Sequence, residues 1–416
     1  MLASALIGGC MFRDLARNLR THNERIGILR GTVRAEPPVE SWSGGAIVVF
    51  AYTGDPPEIR VTDSIILPRP GPYFLLVPVG SQKVAAFADR DGNRVLGADE
   101  PVALLFDGKS VAVGGGQMLE GLDLTLGGEM PNRIGVAVAA PPDAVVGVDA
   151  LPRPHLGEVT TIDDPRFSED AARSGLWRPV EFLFEIGAGV YFLEPYDSDR
   201  VPVIFVHGAL GSPANWRYLV ERLDRQRFQP WLVYYPTAPR LATTAAAMGQ
   251  WLQSLEATHH SRLPIVVAHS MGGLLAREML NQQRGGGLDD FLEPIAFVTI
   301  STPWLGHSAA ALGVAQAPVV APSWHDLAPG SPFLAALLRE PLPAGVTFSL
   351  LFTYGGGSRL IRGPDDGVVT LASQLAPAAQ QQAAHMMGFE AGHRAVLSNP
   401  AVADELNRIL AAAVAD

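Results

Sequence analysis

The chain has 416 residues, 48% of them hydrophobic, and a formal net charge of −11 at pH 7. This length and composition predict two or three folded domains with large apolar cores. The acidic charge argues against a nucleic-acid-binding protein, which needs a basic face. The single cysteine, Cys10, excludes intramolecular disulfides and metal sites built from several cysteines.

Residues 1–25 combine an apolar run with a polar segment that is rich in arginine and predicted to be helical. The run ends in Ile7-Gly8-Gly9-Cys10, which resembles a bacterial lipobox, where a signal peptide is cleaved and the cysteine is lipidated. The resemblance implies a lipoprotein of the cell envelope, held at a membrane through Cys10. However, no Lys or Arg precedes Arg13, although signal peptides begin with a positive segment. An apolar tail with a buried cysteine, in a cytoplasmic protein, is the alternative, and both interpretations stay open.

Residues 26–128 contain short apolar runs separated by clusters of Gly, Pro and Asp, for example at 45–52, 73–77 and 84–88. This spacing predicts an all-β, sandwich-like domain of about seven strands. Because no catalytic set of residues occurs in it, we expect a binding or placement module.

One loop of this domain, residues 89–100, has acidic and amide residues at the spacing of a calcium loop. Asp89, Asp91, Asn93 and Glu100 occupy positions one, three, five and twelve of an EF-hand-like segment. The glycine is at position four instead of six, and no flanking helices are predicted. We therefore interpret the loop as a polar hairpin held by Asx turns and predict no metal, although calcium binding is left open.

Residues 129–164 are rich in Pro, Gly and Asp and are predicted to be a connector. From 165 to 416, strand-like and helix-like segments alternate. The strands are predicted at 190–193, 203–206, 231–235, 265–267, 295–300 and 346–352. Such alternation predicts an α/β fold with a mostly parallel sheet and helices on both faces. Functional residues on such sheets follow the carboxyl ends of the strands.

The segment around Ser270 has the strand–turn–helix pattern of a nucleophile elbow. A β-branched run precedes Ala268-His269-Ser270-Met271-Gly272, and a helical pattern follows it. Small residues two positions before and after the serine let strand and helix backbones approach closely. Ala268 replaces the usual first glycine of the Gly-x-Ser-x-Gly motif, which is the smallest possible departure.

The motifs around this elbow resemble those of α/β-hydrolase serine lipases and esterases over about residues 180–416. The resemblance is to bacterial triacylglycerol lipases and GPI-inositol deacylase-like lipases, and it is carried by Val206-His207-Gly208-Ala209-Leu210-Gly211-Ser212-Pro213 and by Ser301-Thr302-Pro303-Trp304. It implies an α/β-hydrolase fold in which Ser270 is the nucleophile. It also implies an oxyanion hole formed by the backbone N–H groups of Ala209 and Met271. His207 is interpreted as a structural hydrogen-bonding residue of this loop.

A serine nucleophile needs a base and an acid, and the superfamily places them in the order serine, acid, histidine. After the strand at 346–352, an Asp-Gly-Val-Val turn resembles the acid turn of these lipases and favours Asp366, with Asp365 as its rival. His393 lies in a loop before the last predicted helix and is favoured as the base. His385 is the alternative and is predicted to enter the last strand.

An insertion at about 304–343 is rich in Ala, Leu and Pro. In lipases, an amphipathic lid at this place covers an acyl pocket. The resemblance therefore implies a lid here and substrate-binding positions at Leu210, Trp304 and Leu305. A helical cap that only completes the fold is the alternative.

Together these features predict a serine hydrolase that cleaves carboxylic esters, of lipid or acyl type, through an acyl-enzyme. No cofactor is predicted, and metal catalysis is not needed because the triad supplies the nucleophile. One rival hypothesis is an acyltransferase that uses the same triad. The other is a non-catalytic surface lipoprotein that has kept the fold.

Overall fold

The computed structural model describes residues 2–36, 45–55, 59–97, 100–127, 152–260, 264–284, 294–343, 345–357 and 363–415. The strands are β1 (Ile26–Ala35), β2 (Ala46–Thr53), β3 (Arg60–Leu67), β4 (Pro72–Pro78), β5 (Gly80–Asp89), β6 (Val102–Leu104), β7 (Val111–Val113), β8 (Met118–Leu119), β9 (Leu124–Leu126), β10 (His155–Val159), β11 (Gly189–Phe192), β12 (Val201–Val206), β13 (Phe228–Tyr234), β14 (Ile265–His269), β15 (Ala296–Ile300), β16 (Thr347–Thr353) and β17 (His385–Phe389). The α-helices are α1 (Leu2–Arg25), α2 (Glu169–Trp177), α3 (Pro179–Glu181), α4 (Arg217–Glu221), α5 (Leu241–His259), α6 (Met271–Arg284), α7 (Ser308–Gln316), α8 (Pro322–Leu327), α9 (Pro332–Leu337), α10 (Leu371–Gln374), α11 (Pro377–Gln382) and α12 (Pro400–Ala413).

Strands β1 to β9 form the β-rich part of the chain, as the short apolar runs between turn residues predicted. β1 pairs with β4, β8 and β9, whereas β2 lies between β3 and β5 in a second sheet that also includes β6 and β7. Inward-facing side chains such as Leu29, Val49 and Leu75 are fully buried in one cluster. The fold here is therefore an all-β arrangement around an apolar core.

The carboxyl-terminal part is built on one eight-stranded sheet with the order β10-β11-β13-β12-β14-β15-β16-β17. β11 and β13 are antiparallel, and all other neighbours are parallel. The central strands β12 and β14 are buried along their whole length. This explains why their sequences are almost continuous apolar runs without polar alternation.

The predicted connector at 129–164 requires a correction, because part of it belongs to this sheet. β10 pairs in parallel with β11 at the sheet edge. The segment is short, follows Pro154 and contains Gly157, so its sequence carries no clear strand signal. Residues 128–151 lie outside the described residues.

Helix α1 packs on the carboxyl-terminal part through its second half. Leu15 is fully buried in a cluster with Leu176 and Ala238, and the Asn18 side-chain oxygen accepts hydrogen bonds from the backbone N–H of Val180. Cys10 is exposed, so the alternative of a buried cysteine was wrong. Among the described residues, none of the helices combines the length and the apolar character that crossing a bilayer requires.

Candidate active site

Ser270 lies in the sharp turn between β14 and α6, in a backbone conformation that serine rarely adopts. Its φ is +55°, and its N–H donates to the carbonyl of Ile300 on the neighbouring strand at 2.8 Å. A Cβ on Gly272 would lie 2.4 Å from the carbonyl oxygen of Val206. Glycine is therefore required there, and the turn has the strained geometry of a nucleophile elbow.

The three predicted triad residues form one continuous hydrogen-bonded line. The Ser270 hydroxyl donates to His393 Nε2 at 2.9 Å, and His393 Nδ1–H donates to Asp366 Oδ2 at 2.7 Å. All three residues are buried. The line follows the order nucleophile, base and acid, with each contact at the distance that proton transfer needs.

The carboxylate of Asp366 is fixed by five donors that converge on its two oxygens. Oδ2 accepts from the Thr353 hydroxyl at 2.8 Å and from Gln374 Nε2 at 3.1 Å, besides His393. Oδ1 accepts from the backbone N–H groups of Val368 and Val369 at 3.0 and 2.7 Å. Burial opposes ionisation, but the hydrogen bonds and the interaction with His393 hold the pKa of Asp366 below its ordinary value.

The two alternative residues, Asp365 and His385, make other contacts. Asp365 Oδ1 accepts from the backbone N–H of Gly367 at 2.6 Å within its own turn. His385 begins β17, and its Nε2 contacts the carboxylate of Glu405 on α12. Among the two aspartates and two late histidines, the structure therefore brings Asp366 and His393 to Ser270.

The predicted oxyanion donors flank the serine on two different elements. Met271 is the first residue of α6, so its N–H lies in the first turn, where no intrahelical acceptor exists. Ala209 follows β12 and lines the cavity at Ser270. Within the described part of the chain, its N–H makes no backbone hydrogen bond. Both N–H groups are thus available to an oxygen that carries developing charge.

His207 supports this loop without reaching the serine. Its ring stacks on Tyr235 with centroids 4.2 Å apart, and its Nδ1–H donates to the Gly208 carbonyl at 2.8 Å. The Tyr235 hydroxyl donates to the His207 carbonyl. Burial lowers the pKa of His207 to about 4. A neutral, hydrogen-bonded ring agrees with the structural role predicted for it.

His269 makes a contact that the sequence did not predict. Its Nε2–H donates to the backbone carbonyl of His393 at 2.8 Å, and the two rings lie 4.7 Å apart. Burial and the neighbouring His393 lower the pKa of His269 to about 3. The partners are 124 residues apart in sequence, so no local pattern could reveal this link. The hydrogen bonds from Thr353 and Gln374 to Asp366 were not predicted for the same reason.

A cavity of about 380 Å³ opens beside Ser270. It is bounded by the loop after β12, by α4 and by the segment after His393. The lining residues are Gly208, Ala209, Gly211, Ala214, Asn215, Arg217, Tyr218, Glu221, His269, Ser270, His393, Arg394, Leu397 and Ser398. Apolar and charged side chains therefore share its walls. Within the described residues, no group of His, Cys, Asp or Glu that could hold a metal ion lies here.

The three predicted substrate-binding residues do not line this cavity. Trp304 is buried, with its ring against Phe348 at 5.9 Å. Leu305 is exposed, and Leu210 packs against a separate apolar cluster. The predicted lid at 304–343 is helical, as α7, α8 and α9, but none of its described residues borders the cavity. The role of this insertion as a lid therefore stays a prediction.

Comparison with known protein families gives a match for the segment that contains Ser270. Residues 199–321 match a family model described as "Putative serine esterase (DUF676)". No curated protein matches the chain. Similar solved structures include the mature lipase BlEst2 of Bacillus licheniformis, with 16% identity, a TM-score of 0.43 and coverage of 53% of this chain and 97% of that one. Others are lipase B of Aspergillus fumigatus (16% identity, 62% of each chain, TM-score 0.40) and phospholipase PlaB of Legionella pneumophila (19% identity, 42% and 45% of the chains, TM-score 0.37). The predicted resemblance to serine esterases is confirmed for residues 199–321 by this family match, and the predicted α/β fold with a mostly parallel sheet is confirmed by the strand pairing.

Proposed function

We propose that this protein hydrolyses carboxylic esters by acyl transfer to Ser270. The observation that carries the proposal is the hydrogen-bonded line from the Ser270 hydroxyl through His393 to Asp366, with contacts of 2.9 and 2.7 Å. Nucleophilic serine chemistry needs a base in contact with the hydroxyl and a third group that orients the base. The match of residues 199–321 to a serine esterase model supports the same reaction.

In this mechanism, Ser270 Oγ attacks the ester carbonyl while His393 Nε2 takes the hydroxyl proton. The N–H groups of Ala209 and Met271 stabilise the oxyanion, and removing one such donor typically costs about 10²–10³-fold in kcat. His393 then protonates the leaving alkoxide, which departs as an alcohol. A water molecule, deprotonated by His393, attacks the acyl-enzyme; the bond from the acyl carbon to Ser270 Oγ then breaks, His393 returns the proton to Oγ, and the acid is released.

The substrate proposed is an acyl or lipid ester. Ala214, Tyr218 and Leu397 supply apolar wall to the cavity, and Arg217 with Glu221 supplies polar wall. A cavity of about 380 Å³ accommodates a small acyl group or part of a larger ester. Trp304 and Leu305 remain proposed acyl contacts only if the insertion moves, because neither borders the present cavity.

A fluorophosphonate probe together with p-nitrophenyl esters of graded chain length tests the proposal. Wild-type protein is expected to be labelled at Ser270 and to turn over at least one ester, and Ser270→Ala should lose both properties. Ser81→Ala is the matched control, because Ser81 is exposed on β5, in a different sheet from Ser270. Undiminished hydrolysis by Ser270→Ala would overturn the mechanism. Product analysis with added alcohols separates hydrolysis from acyl transfer.

Attachment to the cell envelope through Cys10 is a separate proposal. The lipobox-like sequence Ile7-Gly8-Gly9-Cys10 motivates it, and the exposure of Cys10 supports it. Metabolic labelling with a fatty acid in a bacterial host should mark the wild-type protein but not Cys10→Ser. An unlabelled wild-type protein in the soluble fraction would contradict this proposal and leave the hydrolase proposal untouched.

A further inference from the structure

The connection between β5 and β6 brings together three carboxylates that the hydrolase site does not use. Asp89 ends β5, and Glu100 lies two residues before β6. One ligand oxygen from each of Asp89, Asp91 and Glu100 lies within 4.8 Å of the others. Any triangle with sides of at most 4.8 Å has a point within about 2.8 Å of all three corners. Calcium binds oxygen at about 2.3–2.6 Å, so small side-chain rotations are enough to reach one ion.

Backbone donors orient these carboxylates before any ion is present. Glu100 accepts from the N–H groups of Arg90 and Gly97, both at 2.8 Å. Asp91 Oδ1 accepts from the N–H of Asn93 at 3.0 Å. Each bond uses one lone pair of an oxygen that has two, and the remaining lone pairs stay available for coordination.

Asp89 supplies an independent indication that this cluster binds a cation. The residue is only 4% exposed, and its Oδ1 is shut off from solvent without a hydrogen-bond partner among the described residues. Its other oxygen, Oδ2, accepts from the Arg94 N–H at 3.1 Å. A buried carboxylate oxygen without a donor is costly, and two further carboxylates within 4.8 Å add like-charge repulsion. A divalent cation at the shared point removes both penalties.

We propose that Asp89, Asp91 and Glu100 bind a divalent cation of the calcium type. All three ligands are hard oxygen donors, which disfavours zinc and copper. Calcium also accepts irregular geometry and completes its six to eight ligands with carbonyl groups and water. The glycine at loop position four was an argument against a helix–loop–helix site, but the flanking elements here are strands. The EF-hand position of glycine therefore does not apply.

Bound calcium would fasten the long β5–β6 connection to the end of β5. Ion binding to the folded state alone stabilises that state in proportion to the logarithm of the free ion concentration over Kd. The β-rich part should consequently unfold at a higher temperature with calcium. Because Ser270 belongs to the other sheet, the inference is independent of ester hydrolysis.

Calcium titration of the full chain after removal of metals by a chelator tests the proposal. Calorimetry should show one calcium ion per chain, and thermal unfolding should shift upward with CaCl₂ but much less with MgCl₂. Asp91→Asn and Glu100→Gln should each raise Kd at least tenfold. Asp91 is exposed, so its variant retains the core. Asp107→Asn is the matched control, since Asp107 is an exposed carboxylate of the same β-rich part whose left-handed φ of +57° asparagine tolerates.

The absence of calcium-dependent heat and of any unfolding shift in the wild-type protein would overturn the site. Wild-type Kd values in Asp91→Asn and Glu100→Gln would overturn the ligand assignment, and equal affinity for magnesium would overturn the assignment to calcium. Fluorophosphonate labelling of Ser270 in every variant reports on the hydrolase part and should not change with calcium.

Discussion

Replacing Asp366 with asparagine changes one atom at the end of the triad line, and the structure sets the size of the expected loss. Asp366 Oδ1 accepts two backbone N–H groups, from Val368 and Val369. Turning the amide NH₂ toward them would leave two buried donors unpaired, at about 1–3 kcal/mol each. On the Oδ2 side the loss is smaller, because Gln374 Nε2 also donates to the Thr353 carbonyl and the Thr353 hydroxyl can turn to Ser301 Oγ. The NH₂ group therefore faces His393 Nδ1. That nitrogen must then accept, and the proton moves to Nε2, which faces the Ser270 hydroxyl.

With its proton on Nε2, His393 cannot take a proton from Ser270. An equivalent wrong tautomer in a serine protease costs about 10⁴-fold in kcat. We expect kcat/KM for an ester to fall about 10³–10⁴-fold, which corresponds to about 4–5.5 kcal/mol of transition-state stabilisation. The rate of fluorophosphonate labelling should fall in parallel, because it uses the same nucleophile.

Asp365→Asn is the matched control for this experiment. Asp365 Oδ1 accepts from the Gly367 N–H in its own turn, and the asparagine oxygen can accept the same bond. Its kcat/KM should stay within a few-fold of the wild type. If Asp366→Asn kept more than a tenth of the wild-type kcat/KM, or if Asp365→Asn lost as much, the assignment of the acid would be refuted.

Three further experiments test the elbow at Ser270, the hydrogen bond between His269 and His393, and the dependence of stability on pH. Gly272→Ala should abolish labelling of Ser270 or prevent folding, because its Cβ would lie 2.4 Å from a carbonyl oxygen. The control Ala268→Gly should stay active. An active Gly272→Ala variant would contradict the close approach of the two backbones. His269→Phe removes the hydrogen bond to the His393 carbonyl. It should lower kcat about tenfold or more with a smaller change in KM, because His393 would no longer be held in position for proton transfer. An unchanged kcat would show that this bond does not position His393. Burial lowers the pKa values of His207 and His269 in the folded chain to about 4 and 3. The unfolded chain therefore binds more protons than the folded chain below about pH 6.5. The free energy of unfolding should consequently fall as the pH decreases, by up to about 1 kcal/mol per pH unit for each ring. Chemical denaturation between pH 7 and 5 measures this slope, which His269→Phe should make shallower, and an equal slope in that variant would exclude His269 as a source.

The parts of the site that were predictable are those with a local signal. Ser270 was found because a β-branched run, a turn of small residues and a helix follow one another within a few residues. His393 and the acid turn were found from their order along the chain. Asp366 could not be separated from Asp365 by sequence, because neighbouring residues share the same pattern. The separation comes from the turn itself, in which one aspartate caps its own backbone and the other faces His393.

The parts that were missed depend on contacts between distant segments. An aromatic residue after a strand end was expected beside the nucleophile, yet Trp304 is directed into the core against Phe348. The strand before it ends at Ile300, as predicted, so the direction of Trp304 is set by the loop after the strand and by packing against β16, which no local sequence pattern encodes. β10 was missed because an edge strand of five residues gains its pairing from β11 and not from its own propensity.

The cavity also changes what should determine ester preference. The cavity beside Ser270 is lined by α4 and by the segment after His393, and no described residue from the helices of the insertion is among its lining residues. Arg217 on this wall is held by Asp163 on one side and faces Glu221 at 4.0 Å on the other, so a charged pair lies beside the site of attack. Burying a long alkyl chain against such a pair would desolvate it, whereas a short acyl group can contact Ala214 and Leu397 and leave the pair hydrated. Rates should therefore peak at short acyl chains in the observed conformation. A preference for long chains would require the insertion to form a second, apolar surface next to Ser270.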